Sequence, residues 1–390
     1  MAKKFKRVFL IVLDGFGMGG AFDADLFGDE GADTLKSISK SKYFNIPTLL
    51  KMGLGNLTSY LPHCDTPIAS FGRLEEVSMG KDTTTGHWEM AGIVSPKAFP
   101  TYPNGFPEEL LTPFSSRVGR GVLLNAPSSG IAAIEKYGDE HVKTGDLIVY
   151  TSVDSVFQIA AHEEVVPLDE LYSICSVARE ICTGDHAVGR VIARPFTGNS
   201  NNYKRTANRR DFSLVPPCTT MLDAISEKHN VISIGKIADI FAQKGVTKKH
   251  ITHSNTEGIE KTIEVMNEDF SGLCFVNLVD FDMLYGHRRD ADGYAKALNE
   301  FDLGLSKMLS LLNDDDALLI TGDHGCDPGF LKTTDHTREN VPIIIYSPSL
   351  KGINLGKTKN FANIAGTICD MLDVNYKTEE GFYGRITEGS

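Results

Sequence analysis

Five short apolar runs set the rhythm of this chain: Val8 to Leu13, Val231 to Ile234, Leu273 to Val279, Ala317 to Ile320 and Val341 to Tyr346. They are rich in β-branched residues, and the stretches between them have helical character. Leu298 to Leu312, for example, carries apolar residues at 298, 301, 305, 308, 309 and 312, the spacing of an amphipathic helix. Strands alternating with helices predict an α/β protein whose sheet is largely parallel and flanked by helices.

At 390 residues the chain is too long for one small core and fits two domains, or one large domain with an insertion. The middle is the part that differs. From Ala98 to Leu214 it opens with Pro100, Pro103, Pro107 and Pro113 and closes with the polar tract from Thr197 to Arg205. Within it, Leu147 to Val153 and Val188 to Ala193 are expected strands, and Leu168 to Ile181 an expected helix. The expectation is therefore a core of residues 1–97 and 215–390 interrupted by an inserted α+β domain, 98–214, with Val215-Pro216-Pro217 at its exit.

A net charge of -12 argues against a general nucleic-acid binder, because phosphate backbones select clustered Lys and Arg. A local arginine cluster can still hold a small anion. The start, Met-Ala-Lys-Lys-Phe-Lys-Arg, has the basic character of a signal peptide, but its apolar run ends at Asp14 after six residues and reads better as a first buried strand. No run approaches the roughly 18 apolar residues of a membrane span. Seven cysteines without CxxC spacing fit a reduced, cytoplasmic setting. Neither a membrane nor an obligatory protein partner is expected.

The chemistry gathers behind the strands. Asp14 follows the first run, Asp280-Phe-Asp282 with His287 follows the third, Asp323-His324 follows the fourth, and His336 lies in the next loop. In an open parallel sheet the C-terminal strand ends share one edge, so these residues converge. Each alone has a structural explanation as a cap, a turn residue or a surface histidine. Together, three carboxylates and three imidazoles suffice for two divalent ions.

Two further motifs compete for meaning. Gly15-Phe-Gly-Met-Gly-Gly20 satisfies G-x-G-x-x-G after a strand, with Asp33 near the distance of a ribose-binding acid. Its context argues against a dinucleotide: residues 21–34 are acidic and broken by glycine, and Asp14 would set a carboxylate against the pyrophosphate. In Met79 to Met90, three threonines after Gly-Lys-Asp look like the start of a helix, where amides and the dipole favour a phosphate. Plain helix capping by threonine explains them equally well on their own.

In order and chemistry, these segments resemble the alkaline phosphatase superfamily and, within it, the bacterial-type phosphopentomutases. The resemblance runs nearly end to end. It is carried by Leu13-Asp14, Gly80 to Glu89, Tyr150 to Glu164, Gly189 to Pro195, Asn277 to Asp282 with Gly286 to Asp290, Gly322 to Gly325 and Thr334 to Glu339. It implies an alkaline-phosphatase-like core with a cap domain, and a binuclear site usually occupied by manganese. Asp14, Asp323 and His324 would hold one ion beside a nucleophilic threonine, and Asp282, His287 and His336 the other. Alignment of Gly-Lys-Asp-Thr places the nucleophile on Thr83, with Thr84 and Thr85 close enough to leave the choice open.

By the same resemblance Arg190 and Arg205 would bind the phosphate remote from the metals, Ser152 and Asp154 would reach ribose hydroxyls, Ile192 would pack on the sugar, and Lys236 would add charge. The implied reaction interconverts ribose 1-phosphate and ribose 5-phosphate, and their 2-deoxy forms, through a phosphothreonine and a bisphosphate, with glucose 1,6-bisphosphate as activator. A phosphoglycerate mutase or phosphatase of the same superfamily is the nearest alternative, although the former is expected to carry serine in place of Thr83. A non-catalytic phosphosugar-binding protein is another. Cys326 departs from the asparagine expected after Asp-His-Gly, raising the expectation of an oxidation-sensitive thiol or a softer stray metal.

Overall fold

The computed structural model describes residues 4–152, 154–200 and 202–388. The chain divides into two compact units, Met1–Ala98 with Pro216–Ser390, and Phe99–Val215.

The larger unit is built on an eight-stranded sheet in the order Lys248–His250, Asn230–Ile234, Gly272–Leu278, Arg7–Leu13, Asp316–Thr321, Val341–Tyr346, Ser70–Glu75, Asn354–Lys359. Every residue of Arg7–Leu13 and of Gly272–Leu278 is buried, so these strands are covered on both faces. Helix Ala291–Leu309 lays Leu298, Phe301, Leu305 and Met308 onto one face, against Phe9, Ile11 and Leu13. All five expected core strands are present, with ends shifted by at most one residue, whereas the helix starts earlier and ends at Leu309. Ser70–Glu75 and Asn354–Lys359 were not expected, because their mix of glycine and charge lacks an apolar run.

One strand runs against the rest. Val341–Tyr346 is antiparallel to both neighbours, while the other seven strands point the same way. Its N-terminal end therefore lies at the edge where the others finish. The loop that precedes it, carrying His336, is delivered to that edge.

The smaller unit has a six-stranded mixed sheet, Val122–Pro127, Leu147–Thr151, Val156–His162, Arg190–Thr197 and Lys204–Arg205 in order, with Arg210–Ser213 also pairing Arg190–Thr197. Helices Glu108–Val118, Gly130–Thr144 and Leu168–Ile181 cover it. The strand expected to reach Val153 ends at Thr151, and Val153 lies outside the described residues. No described helix is long and apolar enough to cross a membrane.

Candidate metal centre

Strand register brings the carboxylates together. Leu13 pairs with Leu278 and Val12 with Thr321, so Asp14, Asp282 and Asp323 all leave the same sheet edge. The turn after Leu13 is tight: Gly15 has φ 75°, and a Cβ there would meet Cys326 at 3.0 Å and Asp282 at 3.3 Å. Only glycine fits. Its N–H donates to Asp323 Oδ1 at 2.9 Å. The glycines that resembled a dinucleotide loop thus serve close packing, Gly17 against Glu339 in the same way.

Asp282 lies on a π-helical turn, Phe281–Gly286, and His287 caps it, its N–H donating to Asp282 O at 3.0 Å. The wide turn places residues five apart on one side, which explains their spacing. Asp280 turns away to accept from Asn255 N at 2.7 Å. His336 is held by its loop: His287 Nδ1 donates to Thr334 O at 2.7 Å, and the Arg289 guanidinium donates to the carbonyls of Asp327, Thr333 and Asp335.

Two donor groups result, Asp14 with Asp323 and His324, and Asp282 with His287 and His336. In the first, His324 Nε2 is 3.4 Å from both Asp14 Oδ1 and Asp323 Oδ2. In the second, Asp282 offers Oδ2 to His287 Nε2 at 3.3 Å and Oδ1 to His336 Nε2 at 3.5 Å. The groups adjoin, with the His324 and His336 rings 4.1 Å apart. Donors ringing a cation at about 2.1 Å stand roughly 3.4 Å from one another in a tetrahedron, so the spacing fits a metal. Asp282 Oδ1 and Asp323 Oδ2 are buried without a well-formed hydrogen bond, which leaves lone pairs for one.

Electrostatics points the same way. Burial, reinforced by Asp323, raises the pKa of Asp14. For His324, burial is outweighed by Asp323, Asp14 and Asp282, which push it well above the ordinary histidine value. Burial at Asp282 is likewise outweighed by His336 and His287, and the carboxyl is held well below its usual range. A proton on His324 balances the buried carboxylates around it, and a bound cation would take over that role.

Asp82 caps helix Thr83–Met90, accepting from Thr84 N at 3.0 Å and Thr85 N at 3.1 Å. The Thr85 hydroxyl donates to Asp82 Oδ2 at 2.6 Å. Thr83 Oγ1 lies 3.4 Å from Asp14 Oδ1 and 3.3 Å from His324 Nε2, at the first donor group. A Cβ on Gly86 would stand 2.2 Å from Asp323 O, so glycine lets this helix approach the strand end. Two residues not singled out from sequence complete the surroundings. His87 Nδ1 is 3.2 Å from Asp323 Oδ2, and Asn277 Nδ2 donates to Asp14 Oδ2 at 2.8 Å. The four-residue spacing of Thr83 and His87 on one helix was the available signal.

Of the remaining expected residues, Lys236 follows strand Asn230–Ile234 in the larger unit and is half-buried. Ser152, Asp154, Arg190, Ile192 and Arg205 belong to the smaller one. Arg190 lies 3.9 Å from Asp154 and 3.6 Å from Asp211. Ile192 pairs with Gln158 at mid-strand. Arg205 pairs with Phe196, six residues beyond Arg190 along an extended strand, so the two backbones are about 20 Å apart. Cys326 is fully buried, and burial together with Asp282 pushes its thiol well above the ordinary value. That argues against the expected reactive thiolate.

The metalloenzyme superfamily model matches residues 6–376. The chain is 54% identical over 374 residues to the phosphopentomutase of Lachnoclostridium phytofermentans, covering 95% of this chain and 96% of that one. It is 52% identical over 388 residues to the phosphopentomutase of Acetivibrio thermocellus, covering 98% and 100%. Among solved structures, the PH0037 protein of Pyrococcus horikoshii superposes with a TM-score of 0.50 at 16% identity, covering 97% and 100%, a likeness of fold alone. With so nearly complete a match to sequences this close, the chain belongs to the phosphopentomutases of the metalloenzyme superfamily, isomerases on an alkaline-phosphatase-like α/β core.

Proposed function

We propose that this chain interconverts ribose 1-phosphate and ribose 5-phosphate, and the 2-deoxyribose phosphates, with Thr83 as the phosphoryl carrier. The observation that carries the proposal is the position of Thr83 Oγ1, within 3.4 Å of Asp14 and His324 at the N-terminus of its helix. Two divalent ions, manganese in this reading, would be held by Asp14, Asp323 and His324 and by Asp282, His287 and His336, and would supply positive charge to the nucleophile and the phosphoryl oxygens.

In the resting enzyme Thr83 Oγ1 bears the phosphoryl group, and the first-turn amides favour its charge. The sugar hydroxyl attacks phosphorus in line, the bond to Oγ1 breaks as the new ester forms, and a sugar bisphosphate results. The bisphosphate reorients. Thr83 Oγ1 then attacks its other phosphate, the sugar oxygen leaves, and the isomer departs with Thr83 phosphorylated again.

Unit Phe99–Val215 acts in this reading as a cap that excludes water. Arg190, Arg205 and Lys236 supply positive charge for the remote phosphate, Ser152 and Asp154 serve the ribose hydroxyls, and Ile192 packs on the sugar. Glucose 1,6-bisphosphate primes Thr83. The enzyme works in the cytoplasm on small pentose phosphates, without nucleic acid or an obligatory protein partner. Thr83→Ala is expected to abolish both turnover and acid-stable labelling of the protein by phosphate. Undiminished labelling overturns the assignment, and turnover of 3-phosphoglycerate but not ribose 1-phosphate overturns the substrate.

A further inference from the structure

We propose that His87 is a positioning residue that braces the nucleophile helix against the first donor group, with Asn277 as the second half of the brace. This rests on the reading of Thr83 as nucleophile and of Asp14, Asp323 and His324 as one ion site.

His87 is fully buried, and its ring stacks on Phe275 with centroids 5.8 Å apart. Its Nδ1 faces two oxygens that carry no hydrogen, Thr83 O at 2.8 Å and Asp323 Oδ2 at 3.2 Å. Nδ1 must therefore carry the hydrogen. The other ring nitrogen, Nε2, faces Asn277 Nδ2 at 3.5 Å, a long contact in which the amide is the donor. The same amide nitrogen donates to Asp14 Oδ2 at 2.8 Å.

A chain of contacts thus runs from Asp14 through Asn277 and His87 to Asp323 and back to the Thr83 carbonyl, hydrogen bonds at its two ends and longer contacts of 3.2 and 3.5 Å at Asp323 and between His87 and Asn277. Both carboxylates reach it through the oxygen Oδ2. In each case Oδ1 has another contact, Gly15 N for Asp323 and Thr83 Oγ1 for Asp14. Removing the imidazole leaves two buried, like-charged carboxylates with fewer fixed partners and frees the helix that carries Thr83. The Asp282, His287 and His336 group has its own fastening through Thr334 and Arg289 and does not use this path.

The test is a manganese titration of the metal-depleted full chain by calorimetry, comparing the unmutated chain with His87→Phe, His87→Gln, Asn277→Ala and Asp323→Asn. His87→Phe keeps the stack and removes the polar contacts. One of two manganese ions is expected to bind about 10- to 100-fold more weakly, with the other unchanged. His87→Gln, which can restore a donor, recovers part of the loss, and Asn277→Ala weakens the same ion.

In steady-state assays kcat falls while KM for the pentose phosphate holds, because the brace does not touch the sugar. Wild-type affinity for both ions in His87→Phe, with one lost in Asp323→Asn, overturns the proposal. Both ions retained in Asp323→Asn overturns the ion-site reading beneath it. Nitrogen-15 spectra of the unmutated, magnesium-loaded protein give a check that needs no variant: His87 should show the Nδ1–H tautomer, and an Nε2–H tautomer overturns the proposal.

Discussion

Thr83, Thr84 and Thr85 are adjacent and chemically alike, yet the fold separates their hydroxyls. Thr85 is buried and spent on Asp82, while Thr83 lies at the donor cluster. Thr84→Ala is accordingly expected to retain acid-stable phosphate labelling that Thr83→Ala loses, as mass spectrometry of the labelled chain would show. Spacing alone named the segment and the family resemblance pointed to Thr83, but it is helix phase, set by the Asp82 cap, that decides which hydroxyl points to the cluster. The cysteines follow the same logic. Cys218 is exposed and Cys64 half-buried, whereas Cys326 is buried beside Asp282. A thiol reagent on the native protein should modify Cys218 first and reach Cys326 only on unfolding, with peptide mapping as the measurement.

At the scale of elements, helix Thr83–Met90 depends on its close approach to the Asp323 strand end. Gly86→Ala would place a Cβ 2.2 Å from the Asp323 carbonyl and force the helix outward. A displacement of about 1 Å at a reacting group costs on the order of 100-fold, so kcat should fall by about that factor with circular dichroism unchanged.

In helix Gly130–Thr144, His141 donates Nδ1–H to Asp146 O at 2.6 Å and accepts the His162 N–H at Nε2, 2.8 Å away. Burial lowers its pKa from 6.5, and the bond to Asp146 only partly offsets this. The unfolded chain then binds a proton at a higher pH than the folded one. The contribution of His141 to stability is complete above the unfolded value and is lost as pH falls below it. The thermal midpoint should drop between about pH 7 and about pH 5, and His141→Gln should flatten the drop relative to the unmutated chain.

Across the whole molecule, function and stability sit at opposite edges of the main sheet. At the edge away from the metal centre, Arg7 pairs with Asp316 in register, Nε to Oδ1 at 2.8 Å and Nη2 to Oδ2 at 2.6 Å, both residues buried. Arg7→Ala strands a buried carboxylate and should cost about 3–5 kcal/mol in urea unfolding. Manganese binding to the folded variant should be unchanged. Neither residue attracted attention in the sequence, since a charge at the start of an apolar run looks like a solvated strand end.

The strands themselves were legible, because an apolar run between helical stretches is a local pattern. So was the convergence of the six candidate donors, since Asp and His directly after such runs share an edge by the geometry of a parallel sheet. Local patterns carry no information on partner or direction, however. The reversal of Val341–Tyr346, which delivers His336 to the common edge, depends on pairing with strands up to 275 positions away in sequence, such as Ile345 with Ser70. Ser70–Glu75 and the edge strand Asn354–Lys359 likewise acquire their identity only from neighbours.

By itself, then, the sequence determined the α/β class, the interruption in the middle of the chain and the chemical nature of the donors, all of which rest on spacing within a few residues. Only the tertiary structure decided which donors stand 3.3 to 3.5 Å apart, which threonine meets them, and that His87 and Asn277 lie against them. The reason is physical. A strand or helix is specified by its own periodicity, whereas a site is specified by the register of segments far apart in the chain, fixed when the whole core packs.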